Sequence, residues 1–185
     1  MALDTSKLAH LPLHKKLVQS AYDAFANEAK VRAIVLVGSL VAGRGDRVSD
    51  ADIVVFTCND YHRHSGDGYK RFEAGKEIIY TLESDGRGPT TFRKYLFGDL
   101  TSAEIHCMDL SAPLRLSKPF EILIDKDRLV PERTTDAPPI KHEDFPVYDN
   151  GDAGLIWELV DCIKWLSRGN TELAKDYLRR LGDKL

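Results

Sequence analysis

The chain has 185 residues, a formal net charge of −3, and 43% hydrophobic and 30% charged residues. This composition is typical of a folded globular domain; it excludes a disordered chain and gives no general basic field for non-specific nucleic-acid binding. The sequence has no apolar run near the roughly 18 residues of a membrane span and no signal peptide, so we expect a cytoplasmic protein without a membrane partner.

The N-terminal part predicts a helix followed by two strands. The helix covers residues 13–29, and its apolar face recurs at four-residue spacing: Leu13, Leu17, Ala21 and Phe25. Apolar residues rich in β-branched side chains predict buried strands at 31–37 and 52–57. Between the strands we expect a short helical turn over residues 39–42 and a loop that contains Gly43 and Gly45.

The middle of the chain gives a weaker pattern. Residues 69–82 favour a helix that passes into a strand near 78–82, and residues 91–100 are ambiguous. Alternation over residues 103–110 predicts a strand that places Glu104, His106 and Met108 on one face. A further strand is predicted over residues 120–124.

The C-terminal part predicts a linker and two helices. Residues 131–151 are rich in proline and acidic residues and lack periodicity, which is typical of a linker. The first helix begins near residue 153, ends at Gly169, and has an aliphatic stripe: Ile156, Leu159, Val160, Ile163 and Leu166. A second helix follows over residues 171–181.

These elements predict an α/β (α+β) fold. Residues 1–130 form a domain with a small mixed sheet and helices on one side. Residues 131–151 then form the linker, and residues 152–185 form a C-terminal helical segment.

Two carboxylates open the second strand. Asp50 and Asp52 are two residues apart, so both side chains leave the same face, with Cα atoms about 6.5–7 Å apart. Acids this close repel each other unless a cation lies between them, and Mg²⁺ prefers carboxylate oxygens. Glu104 is the candidate third acid, and three such acids can hold two metals about 3.5–4 Å apart for phosphoryl or nucleotidyl transfer.

The segment before these acids fits phosphate binding. Gly38 at the strand end permits close approach of a phosphate, and Ser39 adds a hydroxyl beside the backbone amides of the turn. Arg44 and Arg47 on the connecting loop carry charge that can neutralise phosphate. With Ser49 of the Ser-Asp-x-Asp segment, these residues are the predicted nucleotide site.

The order strand, Gly-Ser, about ten residues, Asp-x-Asp, strand resembles the nucleotidyltransferase superfamily with the DNA polymerase β-like fold. Gly38, Ser39, Asp50 and Asp52 match its motif position by position. Glu104 is the best match for the third acid, although the family more often has Asp there. Asp109 is the alternative, but alternation places it on the other strand face.

Within this superfamily the chain is most similar to antibiotic nucleotidyltransferases of the aminoglycoside and lincosamide type, through residues 120–127 and the Arg168-Gly169 break. The resemblance implies Mg²⁺-dependent transfer of a nucleoside monophosphate to a hydroxyl of a small molecule. AMP, donated by ATP, is the first candidate for the transferred group. The resemblance also implies a general base, for which Glu158 is the candidate; the alternative is a solvated helix residue. Trp157 and Trp165 are interpreted as core or dimer contacts rather than a substrate wall.

Two alternatives remain open at this point. One is a protein or tRNA acceptor, as in toxin-like members of the superfamily, although the net charge of −3 disfavours tRNA. The other is a non-catalytic nucleotide-binding module, which the intact acids disfavour. The C-terminal helices are short for an acceptor-binding domain, so we also expect a homodimer whose second subunit completes the acceptor pocket.

Overall fold

The computed structural model describes residues 6–141 and 144–185. Its contacts divide the chain into two units, Met1–Ala137 and Pro138–Leu185. The first unit contains the sheet and the second is helical. The division falls inside the predicted linker, and the domain boundaries given above stay a prediction.

The first unit is built on a six-stranded mixed sheet. Its strands and those of a small two-stranded sheet are β1 (Val31–Val37), β2 (Asp50–Thr57), β3 (Ile78–Glu83), β4 (Thr90–Phe97), β5 (Ser102–Asp109), β6 (Leu116–Ser117), β7 (Glu121–Asp125) and β8 (Thr134–Thr135). The large sheet has the order β3-β4-β5-β2-β1-β7, in which β2 and β5 are parallel and the other neighbours antiparallel. The small sheet pairs β6 with β8. The predicted mixed sheet is confirmed.

The described residues also form α-helices and short 3-10 helices. The α-helices are α1 (Pro12–Phe25), α2 (Gly66–Glu73), α3 (Gly151–Ser167) and α4 (Thr171–Gly182). The 3-10 helices are Ser6–Leu8, Tyr61–His64 and Val130–Arg133. In the part of the chain that is described, no helix combines the length and the hydropathy needed to cross a bilayer.

Helices α1 and α2 cover one face of the large sheet, as predicted. Their apolar residues form a core with the sheet residues Ile34, Ile53 and Ile105, which are fully buried. The buried face of α1 differs from the prediction only in its first turn, where His14 is buried (2% exposed) in place of Leu13 (37% exposed). Full burial of each large apolar side chain stabilises the fold by about 1.5–3 kcal/mol, so this face carries much of the stability of the unit.

The opposite face of the sheet has a smaller core. Val35, Val54 and Phe56 pack there with Leu116 and Val130. Side chains along a strand alternate between faces, so the residues two and four positions before Val54 share this face at the start of β2. The two acids of the Ser-Asp-x-Asp segment therefore lie on the face that α1 and α2 leave uncovered.

Several local predictions are corrected by the structure. Residues 39–42 form a hydrogen-bonded turn and not a helix. The ambiguous residues 91–100 contribute to strand β4 and the turn after it. The segment predicted as a linker includes most of the 3-10 helix Val130–Arg133 and strand β8, which pairs with β6.

In the second unit, the aliphatic stripe of α3 is not its buried face. The stripe residues Leu159, Ile163 and Leu166 are 49%, 60% and 48% exposed. The buried core instead contains Cys162 and Trp165 of α3 with Ala174 and Tyr177 of α4. Aromatic rings bury more area than aliphatic chains, and the Trp165 and Tyr177 rings meet edge-on with centroids 4.9 Å apart.

Candidate functional site

Gly38 follows strand β1 in a conformation that suits glycine. Its φ is +77°, in the left-handed region, and a Cβ at this position would overlap the carboxylate of Asp52. The turn that follows is closed by hydrogen bonds from Ala42 N to Gly38 O (3.3 Å) and from Arg44 N to Ser39 O (3.2 Å). The glycine therefore brings the backbone of the turn directly beside the second acid.

The turn before β2 is organised by Asp46 and Ser49. The Asp46 carboxylate accepts hydrogen bonds from Val48 N (3.1 Å) and Ser49 Oγ (3.0 Å), and Asp46 N donates to Ser49 Oγ (3.0 Å). Ser49 is 2% exposed. These contacts support a structural role for Ser49 in setting the start of β2; its predicted nucleotide contact stays a prediction.

Sequence reasoning missed the contribution of His14 to this segment. Its ring, on α1, is buried, and its Nε2 lies 2.9 Å from the carbonyl oxygen of Ser49. A carbonyl only accepts, so Nε2 carries the proton and fixes the residue that precedes Asp50. The signal was present, because His14 occupies the same helix stripe as Val18, Ala21 and Phe25.

The pairing of β2 with β5 brings the three predicted acids together. In the parallel register Asp50 lies opposite Ser102, and Asp52 lies opposite Glu104. The Ser102 hydroxyl donates a hydrogen bond to Asp50 Oδ1. Neighbouring strands are about 4.8 Å apart, so Asp52 and Glu104 face the same side at close range.

Glu104 is held by two basic side chains. Its Oε1 lies 2.7 Å from Nε2 of His106, and its Oε2 lies 2.9 Å from Nζ of Lys94. Burial alone would raise the pKa of Glu104, but the hydrogen bond from His106 and the charge of Lys94 outweigh it and lower the pKa to about 2. Glu104 is therefore a carboxylate at neutral pH.

Lys94 reaches Glu104 from the neighbouring strand β4. It lies directly opposite Glu104 in the antiparallel register of β4 and β5. Its neighbour Arg93 faces the other side of the sheet, where it pairs with Glu73 at 2.7 Å and lies over the ring of Tyr69. No sequence pattern distinguishes these two residues, since the strand register decides between them.

The donor set suits a hard divalent cation. Three acids, Asp50, Asp52 and Glu104, share one face of two adjacent strands, and carboxylate oxygens are the ligands that Mg²⁺ prefers. Each carboxylate oxygen has two lone pairs, so Glu104 keeps acceptor capacity beside Lys94 and His106. The predicted metal ligands therefore fit the ion in chemistry and placement, and their role as ligands stays a prediction.

Asp109, the alternative third acid, lies elsewhere. It ends β5 opposite Thr57, five residues beyond Glu104, which is about 17 Å along the strand. Hydrogen bonding from the backbone of Ser111 lowers the pKa of Asp109. The register thus supports Glu104, and not Asp109, as the acid beside Asp50 and Asp52.

The loop arginines and Glu158 have different surroundings. Arg44 and Arg47 are exposed on the loop between β1 and β2. Glu158, in the second unit, is 8% exposed; its carboxylate accepts hydrogen bonds from Tyr148 N (2.9 Å) and from the Tyr177 hydroxyl. The alternative of a solvated Glu158 is wrong, and its role as a general base stays a prediction.

The chain was compared with known protein families and solved structures. The family profile described as "Nucleotidyltransferase domain" matches residues 18–124. A solved aminoglycoside 6-adenyltransferase from Bacillus subtilis aligns with 16% identity and a TM-score of 0.44 over 89% of this chain and 61% of that one. A structure of the GLD-2/RNP-8 complex aligns with 13% identity and a TM-score of 0.38 over 92% of this chain and 57% of that one. The chain thus spans about three fifths of the length of these two structures. No match was found among curated proteins.

Proposed function

Because the chain belongs to the nucleotidyltransferase domain family, we propose that it transfers a nucleoside monophosphate from a Mg²⁺-bound nucleoside triphosphate to a hydroxyl of a small molecule. ATP is the preferred donor in this proposal. The observation that carries it is the β2–β5 register, which sets Glu104 opposite Asp52 and beside Asp50.

In this proposal Asp50, Asp52 and Glu104 hold Mg²⁺, with two ions in the site. Bound there, the ions would neutralise phosphate charge and stabilise the attacking and leaving oxygens. The positions of Lys94 and His106 support the third ligand, since together they keep Glu104 ionised at its place in the strand.

The turn after β1 is the proposed triphosphate site. The Gly38 backbone and the Ser39 hydroxyl lie on the turn beside Asp52, where a phosphate can accept hydrogen bonds from the amides. The guanidinium groups of Arg44 and Arg47 are exposed, so their charges are accessible to a phosphate.

The acceptor is proposed from the sequence resemblance to aminoglycoside and lincosamide nucleotidyltransferases. A hydroxylated antibiotic, and with it an antibiotic-resistance role, is the first candidate, with Glu158 as the general base. Exposure of Leu159, Ile163 and Leu166 on α3 supports the accompanying proposal of a homodimer, because apolar surface of this kind is suited to a subunit contact. A cytoplasmic location completes the proposal.

The test is nucleotide transfer from radiolabelled ATP and Mg²⁺ to a panel of hydroxylated antibiotics, followed by mass spectrometry of the products. We expect one product heavier by a nucleoside monophosphate, and no product with Asp50→Asn or Asp52→Asn. Asp67→Asn is the matched control, since Asp67 is an exposed acid on α2 paired only loosely with Lys70 at 3.6 Å. Undiminished activity in Asp52→Asn would overturn the mechanism.

The same assay separates the other candidate functions. Transfer of label to a co-expressed protein or to tRNA, with none to small molecules, would replace the acceptor class and leave the acid site intact. Binding of Mg-ATP in calorimetry without transfer to any acceptor would instead identify a nucleotide-binding module.

A further inference from the structure

A second group of possible metal ligands lies at the other end of the β2–β5 pair. The chain leaves β2, turns at Asp60 and enters the 3-10 helix Tyr61–His64, while β5 ends at Asp109. One potential ligand atom from each of Asp60, His62 and Asp109 lies within 4.8 Å of the others. This group shares no residue with the acids at the start of β2.

The histidine of this group is oriented by the backbone. His62 is 2% exposed, and its Nε2 lies 3.1 Å from the carbonyl oxygen of Gly88. The carbonyl only accepts, so Nε2 carries the proton and Nδ1 presents a lone pair. Nε of Arg63 lies 3.4 Å from the same Nε2, but the closer carbonyl requires the proton to stay on the ring.

The lone pair of His62 points towards an acid and not towards a donor. Its Nδ1 is buried and has no hydrogen-bond partner among the described residues, and it lies 3.9 Å from Oδ2 of Asp109. A buried acceptor that faces a carboxylate is unfavourable unless a cation lies between them. A histidine whose other ring nitrogen donates to a backbone carbonyl is the usual arrangement of a metal ligand.

The two acids of this group, Asp109 and Asp60, differ in how they are held. Oδ1 of Asp109 accepts a hydrogen bond from Ser111 N (2.9 Å), while its Oδ2 faces His62 and lies 3.4 Å from Asp60 N. The Asp60 side chain is 71% exposed, which gives an ion a path from solvent. Nε of Arg63 is 4.0 Å from Oδ1 of Asp60, so this exposed guanidinium is the group that an ion would displace.

We propose that Asp60, His62 and Asp109 form a binding site for a divalent transition-metal cation, with Zn²⁺ as the preferred ion. One imidazole nitrogen and two carboxylate oxygens are three typical zinc ligands, and water fills the fourth position. Ligand atoms of a tetrahedral zinc site are about 3.4 Å apart, so the group must contract slightly. Nδ1 of His62 and Oδ2 of Asp109, 3.9 Å apart, must approach each other, and the exposed Asp60 side chain can adjust to the ion between them.

The proposed ion ties the segment after β2 to the end of β5. Along β5, Asp109 is about 17 Å from Glu104, so the proposed ion takes no part in the proposed phosphate chemistry. Its role is to fix the 3-10 helix and, through His62 Nε2, the turn at Gly88.

The experiment titrates Zn²⁺ into the full chain by calorimetry, and Co²⁺ as a spectroscopic probe. Asp50→Asn/Asp52→Asn serves as the background, so that the acids at the start of β2 do not contribute. We expect one equivalent of Zn²⁺ and visible Co²⁺ bands typical of tetrahedral coordination. Asp60→Asn should weaken Zn²⁺ binding roughly tenfold or more.

The matched control is His64→Gln, because His64 is an exposed histidine two residues from His62 and outside the ligand group. Its Zn²⁺ affinity should equal that of the background. Circular dichroism checks that each variant is folded, and we expect Asp60→Asn to keep the fold because the Asp60 side chain is exposed. Absence of Zn²⁺ binding to the background protein, or equal affinity in Asp60→Asn and His64→Gln, overturns the proposal.

Discussion

The two ends of the β2–β5 strand pair place acids beside a histidine in opposite ways. At the start of β2, Glu104 already has two basic partners, Lys94 and His106. At the far end, buried His62 presents the Nδ1 lone pair to Asp109, and no hydrogen-bond donor among the described residues reaches that nitrogen. The protein's own basic side chains therefore neutralise part of the acid charge at the start of β2, whereas the Nδ1 acceptor of His62 has no such partner among the described residues.

The ends also differ in how their geometry is fixed. Asp50, Asp52 and Glu104 are positions in a regular ladder, so their spacing follows from the strand period. Asp60 belongs to a loop in which it and Asn59 adopt φ of 54° and 55°. The first site is set by sheet register and the second by loop conformation, and the two should respond differently to substitution.

The largest expected effect is at the acid end. Asp52→Asn keeps the size of the side chain and removes one charge, and we expect nucleotide transfer to fall by at least about a hundredfold because charge stabilisation at the phosphates is lost. The measurement is the initial rate of transfer from labelled ATP. Asp60→Asn should leave this rate within about twofold; an equal loss in both variants would remove the distinction between the two ends.

Gly38→Ala should have the next largest effect. The new Cβ is strained at φ +77° and overlaps the Asp52 carboxylate, so we expect a loss of about 1–3 kcal/mol in the free energy of unfolding, together with loss of transfer activity. Gly43→Ala is the control, because its φ is +69° but nothing lies within 4 Å of the added Cβ. Urea denaturation measures both; equal destabilisation would mean that contact with Asp52 contributes nothing.

Lys94→Met tests the ion pair between Lys94 and Glu104. The pKa of Glu104 is lowered to about 2 in the folded protein. Its contribution to the free energy of unfolding is therefore fully present above the unfolded pKa near 4.5 and is lost as the pH falls towards 2. Removing Lys94 should raise this pKa, reduce the free energy of unfolding at pH 7 by about 1–2 kcal/mol, and move the acid-sensitive range to higher pH. Urea denaturation from pH 3 to 7 provides the measurement.

Lys70→Met is the control for that experiment, since Lys70 is 78% exposed and should change the free energy of unfolding by less than about 0.5 kcal/mol. An unchanged pH profile in Lys94→Met would show that His106 alone accounts for the ionised state of Glu104.

The smallest intrinsic effect is expected at the far end. Without added metal, Asp60→Asn should change the free energy of unfolding by less than about 0.5 kcal/mol, because its side chain is 71% exposed. In the Asp50→Asn/Asp52→Asn background, excess Zn²⁺ should raise the melting temperature of the parent protein and of His64→Gln but not of Asp60→Asn. A similar rise in all three proteins would place the bound zinc elsewhere.

The sequence predicts the placement of the three acids on one face because that placement depends on local alternation. The period of two puts Asp50 and Asp52 on one face, and the same parity selects Glu104 over Asp109. Lys94 could not be chosen in advance, since it meets Glu104 only through the β4–β5 register. Pairing between strands is long-range information that no short pattern contains.

Other failures have different physical causes. Helix α3 has apolar residues on more than one side, and the aromatic pair Trp165 and Tyr177 determines its buried face, which leaves Leu159 and Ile163 exposed. His62 lies in a polar stretch that resembles an ordinary loop, so its burial gives no sequence signal. Both cases depend on which neighbours fold over a residue.

Strand β2 pairs with β5 from Asp50 to Thr57 and with β1 from Asp52 to Thr57. Its amide protons should therefore exchange with solvent only when the domain opens as a whole, whereas those of residues 59–64 exchange through local opening. The spacing of Asp50 and Asp52 then persists in any partly opened state that keeps the central strands paired. The spacing of the two acids would then be lost only when the whole domain unfolds.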